Sequence, residues 1–572
     1  MRIKIFEDII ILFFLSLFLS LSYTQIIKGR YYSQLSQKNA IRIIPQAGIR
    51  GNIYDRKGRL LAGNSLSFNL SVIPQGLDNK EETLTRLARI LKTDSLDLIN
   101  NYKKGYSLPF APVVIKQNIS KEEAIILEAN TFDIKNVIIQ QIPQRTYPHD
   151  KVGANALGYT NKIDRSKLTR LQNYGYSIDD TVGYSGVEEN LDSYLRAEDG
   201  GTQVEVDNLG RQIRVLGTKL PQTGQDAELT IDLDLEKICY SLLQDKTGAI
   251  IIMDPYNGDI YSMISSPSFD PNIFSDSSPD SLYRRRLVLN DPNSSLLNRA
   301  ISGKYPAGSL FKIVSAIAGL DTKKISRGTN FFCSGAVNIG SRQFLCWSAH
   351  GDQNLEGAIT HSCNSFFYRL GVLLGPDILY SFATRLGLAK PTGIDLPSES
   401  SGFIPSRNWK LTTKGGRWFD GDSANFAIGQ GEVLVTPVQI VRLMAVVANG
   451  GYLVTPHVIK AIAGSPKLTN KMVNLGLNPQ ALAIIREALS RVVEDPSGTA
   501  NSLKIEGLRI AGKTGTAQVG NKRPHAWFAG FFPYQNPRFC FVVLLEHGGG
   551  SQLACVVARN LIEEMIKQGY LN

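Results

Sequence analysis

The stretch GAIIIMDPYNGDIYSMISSP, residues 248–267, decides the fold. Two apolar runs flank Pro255 and the Asn257-Gly258 pair, the chemistry of a turn between antiparallel strands. Upstream, AELTIDLDLEKICYSLLQ (227–244) reads as a strand leading into a helix. Downstream, apolar helical patterns are expected around 307–320, 363–375, 375–387 and 436–448. The chain then returns to strands in LRIAGKTGTAQV (508–519), HAWFAGFFP (525–533) and FCFVVLLEH (539–547), before a last helix from Leu553 to Gln568. Strands, helices, strands and a closing helix predict an α+β domain. Its antiparallel sheet is faced by helices, and the two ends of the domain meet in that sheet.

At 572 residues and 43% hydrophobic content, the chain is long enough for about two to four units. Residues 50–64, RGNIYDRKGRLLAGN, place apolar positions around an Asp-Arg-Lys-Gly turn, as in a hairpin. Residues 65 to about 225 mix short strands, turns and charged helices, expected at Thr83–Leu91 and Lys121–Asn130, and carry no catalytic constellation. A mixed N-terminal pedestal is the expectation for 31–225, with the chemistry in 226–572. Residues 1–30 form an anchor: Ile9 to Ile27 is uncharged and close to the ~20 residues that cross a bilayer as a helix. Arg2 and Lys4 before it favour an inward N-terminus, which predicts a single-pass protein with its remaining chain outside. A cleaved signal is the competing reading, but the run is long for one and no clear cleavage site follows. The polar stretch Lys28 to Ile44 reads as a linker. The net charge of +11 suits an anionic membrane or an acidic polymer. No Lys/Arg block, finger pattern or RNA-binding signature points to nucleic acid.

Three short motifs carry chemistry. In KYPAGSLFKIVSAIAGL (304–320), Ser309 is expected at a helix N-terminus with Lys312 three residues on, on the same face. A serine becomes a nucleophile beside a base, and lysine serves once desolvation lowers its pKa. Ser-x-Asn occurs four times: at Ser67, Ser362, Ser406 and Ser423. Only Ser362–Asn364 lies where a polar turn runs into an apolar helix; the others read as turn or capping residues. Lys513-Thr514-Gly515-Thr516 lies within an apparent strand, where a glycine often marks close approach of a ligand or backbone. Lys246-Thr247-Gly248 repeats the tripeptide ahead of a strand and reads as a turn.

A nucleophile with its base, then a polar pair, then a lysine strand form the ordered set of serine β-lactamases and penicillin-binding proteins. The chain resembles the class B penicillin-binding proteins, specifically the elongation type. RGNIYDRKGRLLA, RTYPHDKVGANALGY and GYSGVEENLD resemble that family's N-terminal module, and YPAGSLFK, HSCNSFFY, AIGQGEVLVTPVQ and AGKTGTAQ its transpeptidase domain. Asn155 departs from the family pattern, which has histidine there. The resemblance implies a penicilloyl-serine transferase fold and D,D-transpeptidation of peptidoglycan stem peptides through Ser309. It also implies acylation by β-lactams. Lys312 is the candidate base, Ser362 and Lys513 the proton relay to the leaving amine, and Asn364 the holder of the donor amide. On the same resemblance, Thr514 and Thr516, with Gly515 between them, would bind the terminal carboxylate, and the backbone N–H groups of Ser309 and Thr516 would form the oxyanion hole. No cofactor is needed for this chemistry. With no glycosyltransferase domain in the sequence, the resemblance implies a multi-spanning glycosyltransferase partner at the inner membrane. A secreted serine β-lactamase and a non-catalytic sensor or scaffold are the alternatives. The anchor and pedestal weigh against the first, and the absence of a signalling domain and the full catalytic set weigh against the second.

Cys333, Cys346, His350 and Cys363 cluster in sequence, and three thiolates with one imidazole match a closed zinc site. A Cys333–Cys346 disulfide and buried free thiols remain open alternatives. Members of the resembled family can carry zinc here, with carboxylates among the matching positions. A structural zinc would brace the Ser362 loop rather than activate water.

Overall fold

The structure is a computed structural model. It describes residues 2–33, 41–74, 77, 79–106, 112–130, 134, 136–178, 180–207, 212–276, 278–466 and 472–571. Part of the expected linker, 34–40, therefore lies outside the described residues. The helix Arg2–Ser22 continues into a π turn, Tyr23–Ile27, and Ile5–Ile27 is long and apolar enough to cross a membrane.

The rest divides into two units. The first takes in Met1–Arg50, Ser65–Gln144 and Ala197–Gly224. In it Ile41–Gln46, Gly200–Val206 and Gln212–Lys219 form an antiparallel sheet. Helices Lys80–Ile90, Ser95–Gly105 and Lys121–Asn130 bury Leu84, Leu87, Leu98 and Leu127 with Leu70, Val72 and Ile115 in a small core. Asn79 and Asp94 start the first two helices by accepting backbone N–H bonds from Glu82 and Leu96.

The second unit takes in Gly51–Asn64, Arg145–Arg196 and Gln225–Asn572. Its sheet is built from β1 (Gly248–Met253), β2 (Ile260–Ser266), β3 (Ala511–Val519), β4 (Lys522–Phe532) and β5 (Phe539–Leu545). The order is β2-β1-β5-β4-β3, antiparallel throughout. The hairpin over 248–267 thus forms, and β5 pairs with β1 (Ile250↔Val543), so the two ends of the domain share one sheet as expected. Every residue of β1 and β5 is buried, which requires cover on both faces and explains their unbroken apolar runs.

The helices that cover the sheet or carry the site are α1 (Leu233–Leu242), α2 (Lys312–Asp321), α3 (Leu355–Thr360), α4 (Asn364–Arg385), α5 (Asp420–Ala427), α6 (Pro437–Ala448), α7 (Pro479–Glu494) and α8 (Gln552–Lys567). α6 is buried along its whole length and packs on β1, β4 and β5. α8 packs on β4 and β5, and α1 on β2 and α8. α4 breaks at Gly375 (φ 68°) before Pro376, which separates the two helical patterns read on either side of 375. α3, α5 and α7 have no counterpart in the sequence reading.

Segments 51–64 and 145–196 bury Ile53, Leu61, Tyr147, Leu157 and Val187 in the same core as Leu229 and Ile250. The turn in 50–64 closes on Asp55, whose carboxylate accepts from the backbone of Lys57 and Arg59 and from the Arg59 guanidinium. Arg145, buried, donates from Nε to Glu188 at 2.7 Å and from Nη1 to the Gly51 carbonyl at 2.8 Å. Asn155 is held by its side chain and its backbone: Nδ2 donates to the Ser295 carbonyl, and its backbone carbonyl accepts from Asn298 Nδ2.

Candidate active site

Ser309 lies in a 3-10 turn, Gly308–Phe311, and Lys312 is the first residue of α2. The sequence reading placed both on one α-helix. The tighter turn still aligns them, because residues three apart eclipse in a 3-10 helix. Gly308 permits the turn: its φ is +52°, and a Cβ there would lie 2.9 Å from the Thr516 carbonyl oxygen. The turn is pinned from behind. Gly308 N–H donates to the Gly429 carbonyl at 3.0 Å, Phe311 stacks near Phe426, and Ser315 Oγ donates to the Ala427 carbonyl at 2.8 Å.

Lys312 is fully buried. Its Nζ donates to the Ser362 carbonyl (2.7 Å), to Ser362 Oγ (3.1 Å) and to Asn364 Oδ1 (2.7 Å). Ser362 Oγ in turn donates to Ser309 Oγ at 3.1 Å. The hydrogen-bonded link from Ser309 to Lys312 therefore runs through Ser362, a step that the spacing of the two does not show. Burial pulls the Lys312 ammonium down to about 7, while the sulfur charges of Cys346 and Cys363 oppose the shift.

Ser362 sits in the turn between α3 and α4 at φ +52°, an uncommon conformation for a residue with a side chain. The other Ser-x-Asn serines are placed differently. Ser406 caps the helix Arg407–Lys414. Ser67 lies in the strand Leu60–Val72 and donates to Asn118, and Ser423 lies inside α5, accepting from Trp418 Nε1. Only Ser406 is thus the cap that the sequence suggests. Lys246 lies in the turn before β1, with Nζ on the Leu242 carbonyl.

β3 is the last strand of the sheet, and its open edge faces the Gly308–Phe311 turn. Gly515 makes that approach possible, since a Cβ there would meet Leu310 Cγ at 3.2 Å and Trp527 Cβ at 3.0 Å. Lys513 is fully buried, with Nζ 3.4 Å from the Thr514 carbonyl, and burial together with the Lys312 charge holds its pKa well below that of a free lysine. Thr514 Oγ1 shares a 2.8 Å hydrogen bond with Thr499 Oγ1, and Thr516 is exposed. Thr499 has no motif around it, so nothing in the sequence marks it.

The cysteine cluster lies directly behind Ser362. The donor atoms of Cys333, Cys346, His350 and Cys363 all fall within 4.8 Å of one another. His350 Nδ1 is 3.6 Å from Cys333 Sγ and 3.5 Å from Cys346 Sγ. Cys346 Sγ accepts the Asn364 N–H at 3.2 Å. The Cys363 thiol, with nearby backbone N–H groups, favours the Cys346 thiolate and lowers its pKa to about 3, and the same contact pushes the Cys363 thiol up. All six cysteines are free, so the Cys333–Cys346 disulfide is not formed. Three converging sulfurs and one imidazole nitrogen fit a tetrahedral soft-ligand ion.

Comparison with known proteins agrees with this geometry. Residues 248–563 match the penicillin binding protein transpeptidase domain, and residues 45–229 the penicillin-binding protein dimerisation domain. The peptidoglycan D,D-transpeptidase MrdA of Haemophilus influenzae is 31% identical over 96% of this chain and 89% of its own length. The protein of that name from Acinetobacter baumannii is 32% identical over 93% of this chain and 82% of its own. Among solved structures, penicillin-binding protein PBP2 of Helicobacter pylori in complex with MreC superposes with a TM-score of 0.83. It is 28% identical and covers 93% of this chain and 99% of that one. A chain from a peptidoglycan synthase complex that coordinates polymerization and crosslinking gives 0.74 at 30% identity, covering 98% and 97%. With the transpeptidase match spanning 248–563 and relatives similar along nearly the whole chain, this protein belongs to the penicillin-binding transpeptidases.

Proposed function

We propose that the chain is a peptidoglycan D,D-transpeptidase of cell elongation, working through an acyl-enzyme on Ser309. The observation that carries the reading is the hydrogen-bonded path Ser309–Ser362–Lys312 beside a buried Lys513 strand. Ser309 Oγ attacks the carbonyl between the two terminal D-alanines of a stem peptide. Its proton passes to the Ser362 hydroxyl as that hydroxyl gives its own to neutral Lys312. The oxyanion faces the N–H groups of Ser309 and Thr516, donors of a kind worth ~10²–10³ in rate. Collapse breaks the C–N bond, and D-alanine leaves with a proton returned through Ser362, with Lys513 alongside. An amine of a neighbouring stem then attacks the ester and regenerates Ser309. Asn364 Oδ1 is engaged by Lys312, which turns its amide N–H₂ toward the donor peptide. Thr516, which is exposed, with Thr514 and Gly515 beside it, would read the terminal carboxylate together with Lys513.

We assign 1–30 as anchor, 31–225 as pedestal, with its segments 51–64 and 145–196 packed into the core of the later chain, and 226–572 as transpeptidase domain, with the catalytic part on the outer side of the cytoplasmic membrane. Glycan polymerisation then falls to a multi-spanning partner, a reading supported by the polymerization and crosslinking complex among the structural relatives. The relative solved with MreC supports a scaffold contact of the same kind. The direct test supplies full-length protein with a stem-pentapeptide donor and an amine acceptor. D-alanine release coupled to a new amide bond is expected. Hydrolysis alone, or rapid turnover of penicillin, would instead indicate the β-lactamase reading.

Cys333, Cys346, His350 and Cys363 would hold a zinc ion, which supplies cross-linking of the Ser362 turn rather than chemistry. Metal analysis of purified protein is expected to find about one zinc per chain. Cys333→Ser should lose it, with a lower melting temperature and slower acylation. Full acylation by a metal-free wild-type protein with an unchanged melting temperature would refute the bracing role.

A further inference from the structure

At the end of α2 away from Ser309 lies a cavity of about 840 Å³, bounded by that helix end, the turn after it and the first turns of α7. Its lining includes Leu320, Ile325, Ala481 and Ile484, without an aromatic ring. Its rim carries Lys323, Lys324 and Arg327. Arg327 is paired with Glu356 on α3, Nε to Oε1 2.8 Å. The nearby carboxylate of Asp321 is occupied by Arg385 (3.2 Å) and by the Asn478 N–H (3.0 Å). Lys323 and Lys324 are exposed, and neither ammonium has an ion-pair partner among the described residues. Lys323 also holds φ +57°, an uncommon backbone state for lysine.

Two unneutralised ammonium groups beside aliphatic side chains, in a cleft of ordinary ligand size, suit a short acidic peptide with aliphatic side chains. A glycan would call for aromatic faces, which the lining lacks. On the transpeptidase reading, the outer surface meets such a peptide in the stem of peptidoglycan, which carries alanines together with carboxylate-bearing residues. We propose that this cavity is a second stem-peptide site, separate from Ser309, in which Lys323 and Lys324 bind the peptide's carboxylates.

The test uses full-length protein in detergent, first acylated to completion with penicillin so that Ser309 is blocked. A synthetic stem tetrapeptide is then titrated calorimetrically, alongside the same peptide with its carboxyls amidated. Saturable binding to the acylated protein is expected. It should weaken about tenfold or more in the Lys323→Glu/Lys324→Glu double variant and on amidation, and to a lesser degree in Lys323→Gln/Lys324→Gln. Both pairs are exposed, so penicillin acylation should proceed at the wild-type rate and report an intact fold. Absence of saturable binding to the acylated wild type, or binding that the charge-reversed variant or the amidated peptide retains, overturns the proposal. A protein that fails to take penicillin at all would place the fault in the transpeptidase reading instead.

Discussion

Lys312→Ala should slow penicillin acylation of Ser309 by about 10²–10⁴-fold, the range for a lost general base. The lysine is wholly buried and makes three hydrogen bonds, to the Ser362 carbonyl, Ser362 Oγ and Asn364 Oδ1. Alanine there leaves buried acceptors unsatisfied, at about 1–3 kcal/mol each, so lower stability accompanies the lost rate. Lys312→Arg separates the two effects. A guanidinium keeps donors in the pocket but does not deprotonate, so it should restore part of the stability and little of the rate. The wild-type pH profile follows from the same burial. With the lysine pulled down to about 7, the protonated form holds no free lone pair below that pH and the neutral form prevails above it. Acylation should therefore rise with pH across neutrality and level off on the alkaline side, whereas an unperturbed lysine would still be gaining rate near pH 10. Stopped-flow acylation over pH 5.5–9 reads this directly. A flat profile through neutrality would remove Lys312 as the base.

Ser362→Ala is the second large effect, expected at about 10²–10³-fold on acylation. It deletes the hydroxyl that joins Ser309 to Lys312, at 3.1 Å on each side. The two strongest Lys312 bonds, to the residue 362 carbonyl and to Asn364, survive the change, each at 2.7 Å. The melting temperature should accordingly stay close to that of the wild type while the rate falls. Acylation within a few-fold of wild type would mean that Lys312 reaches Ser309 directly once substrate is bound.

What could be read beforehand divides along physical lines. The sheet was legible because β1 and β5 are buried on both faces and so appear as unbroken apolar runs, and because Asn257-Gly258 marks a turn by local chemistry. The alignment of Ser309 with Lys312 was legible because a three-residue spacing aligns side chains in an α-helix and in a 3-10 turn alike, although the turn is of the second kind. Ser362 stood apart from the other three Ser-x-Asn copies because a polar turn runs into an apolar helix there. Its contact with both Ser309 and Lys312 was not legible, because it depends on a left-handed residue at a helix junction. Thr499 escaped because its role comes from lying beside Thr514 in space. The grouping of 51–64 and 145–196 with the later chain escaped for the same reason. Ile53 and Val187 find their core partners at Leu229 and Ile250, and local periodicity carries no trace of which distant strand a side chain will meet. The cysteine cluster was visible as composition, whereas the convergence of its donor atoms within 4.8 Å needed the turn from Cys333 through Cys346 to fold back on Cys363.

The most direct measurement is intact-protein mass spectrometry of the full-length chain after incubation with penicillin, comparing wild type with Ser309→Ala. The account predicts one covalent adduct per wild-type chain, lasting far longer than a β-lactamase intermediate, and none on the variant. An adduct on Ser309→Ala, or penicillin consumed by the wild type with no lasting adduct, would contradict it.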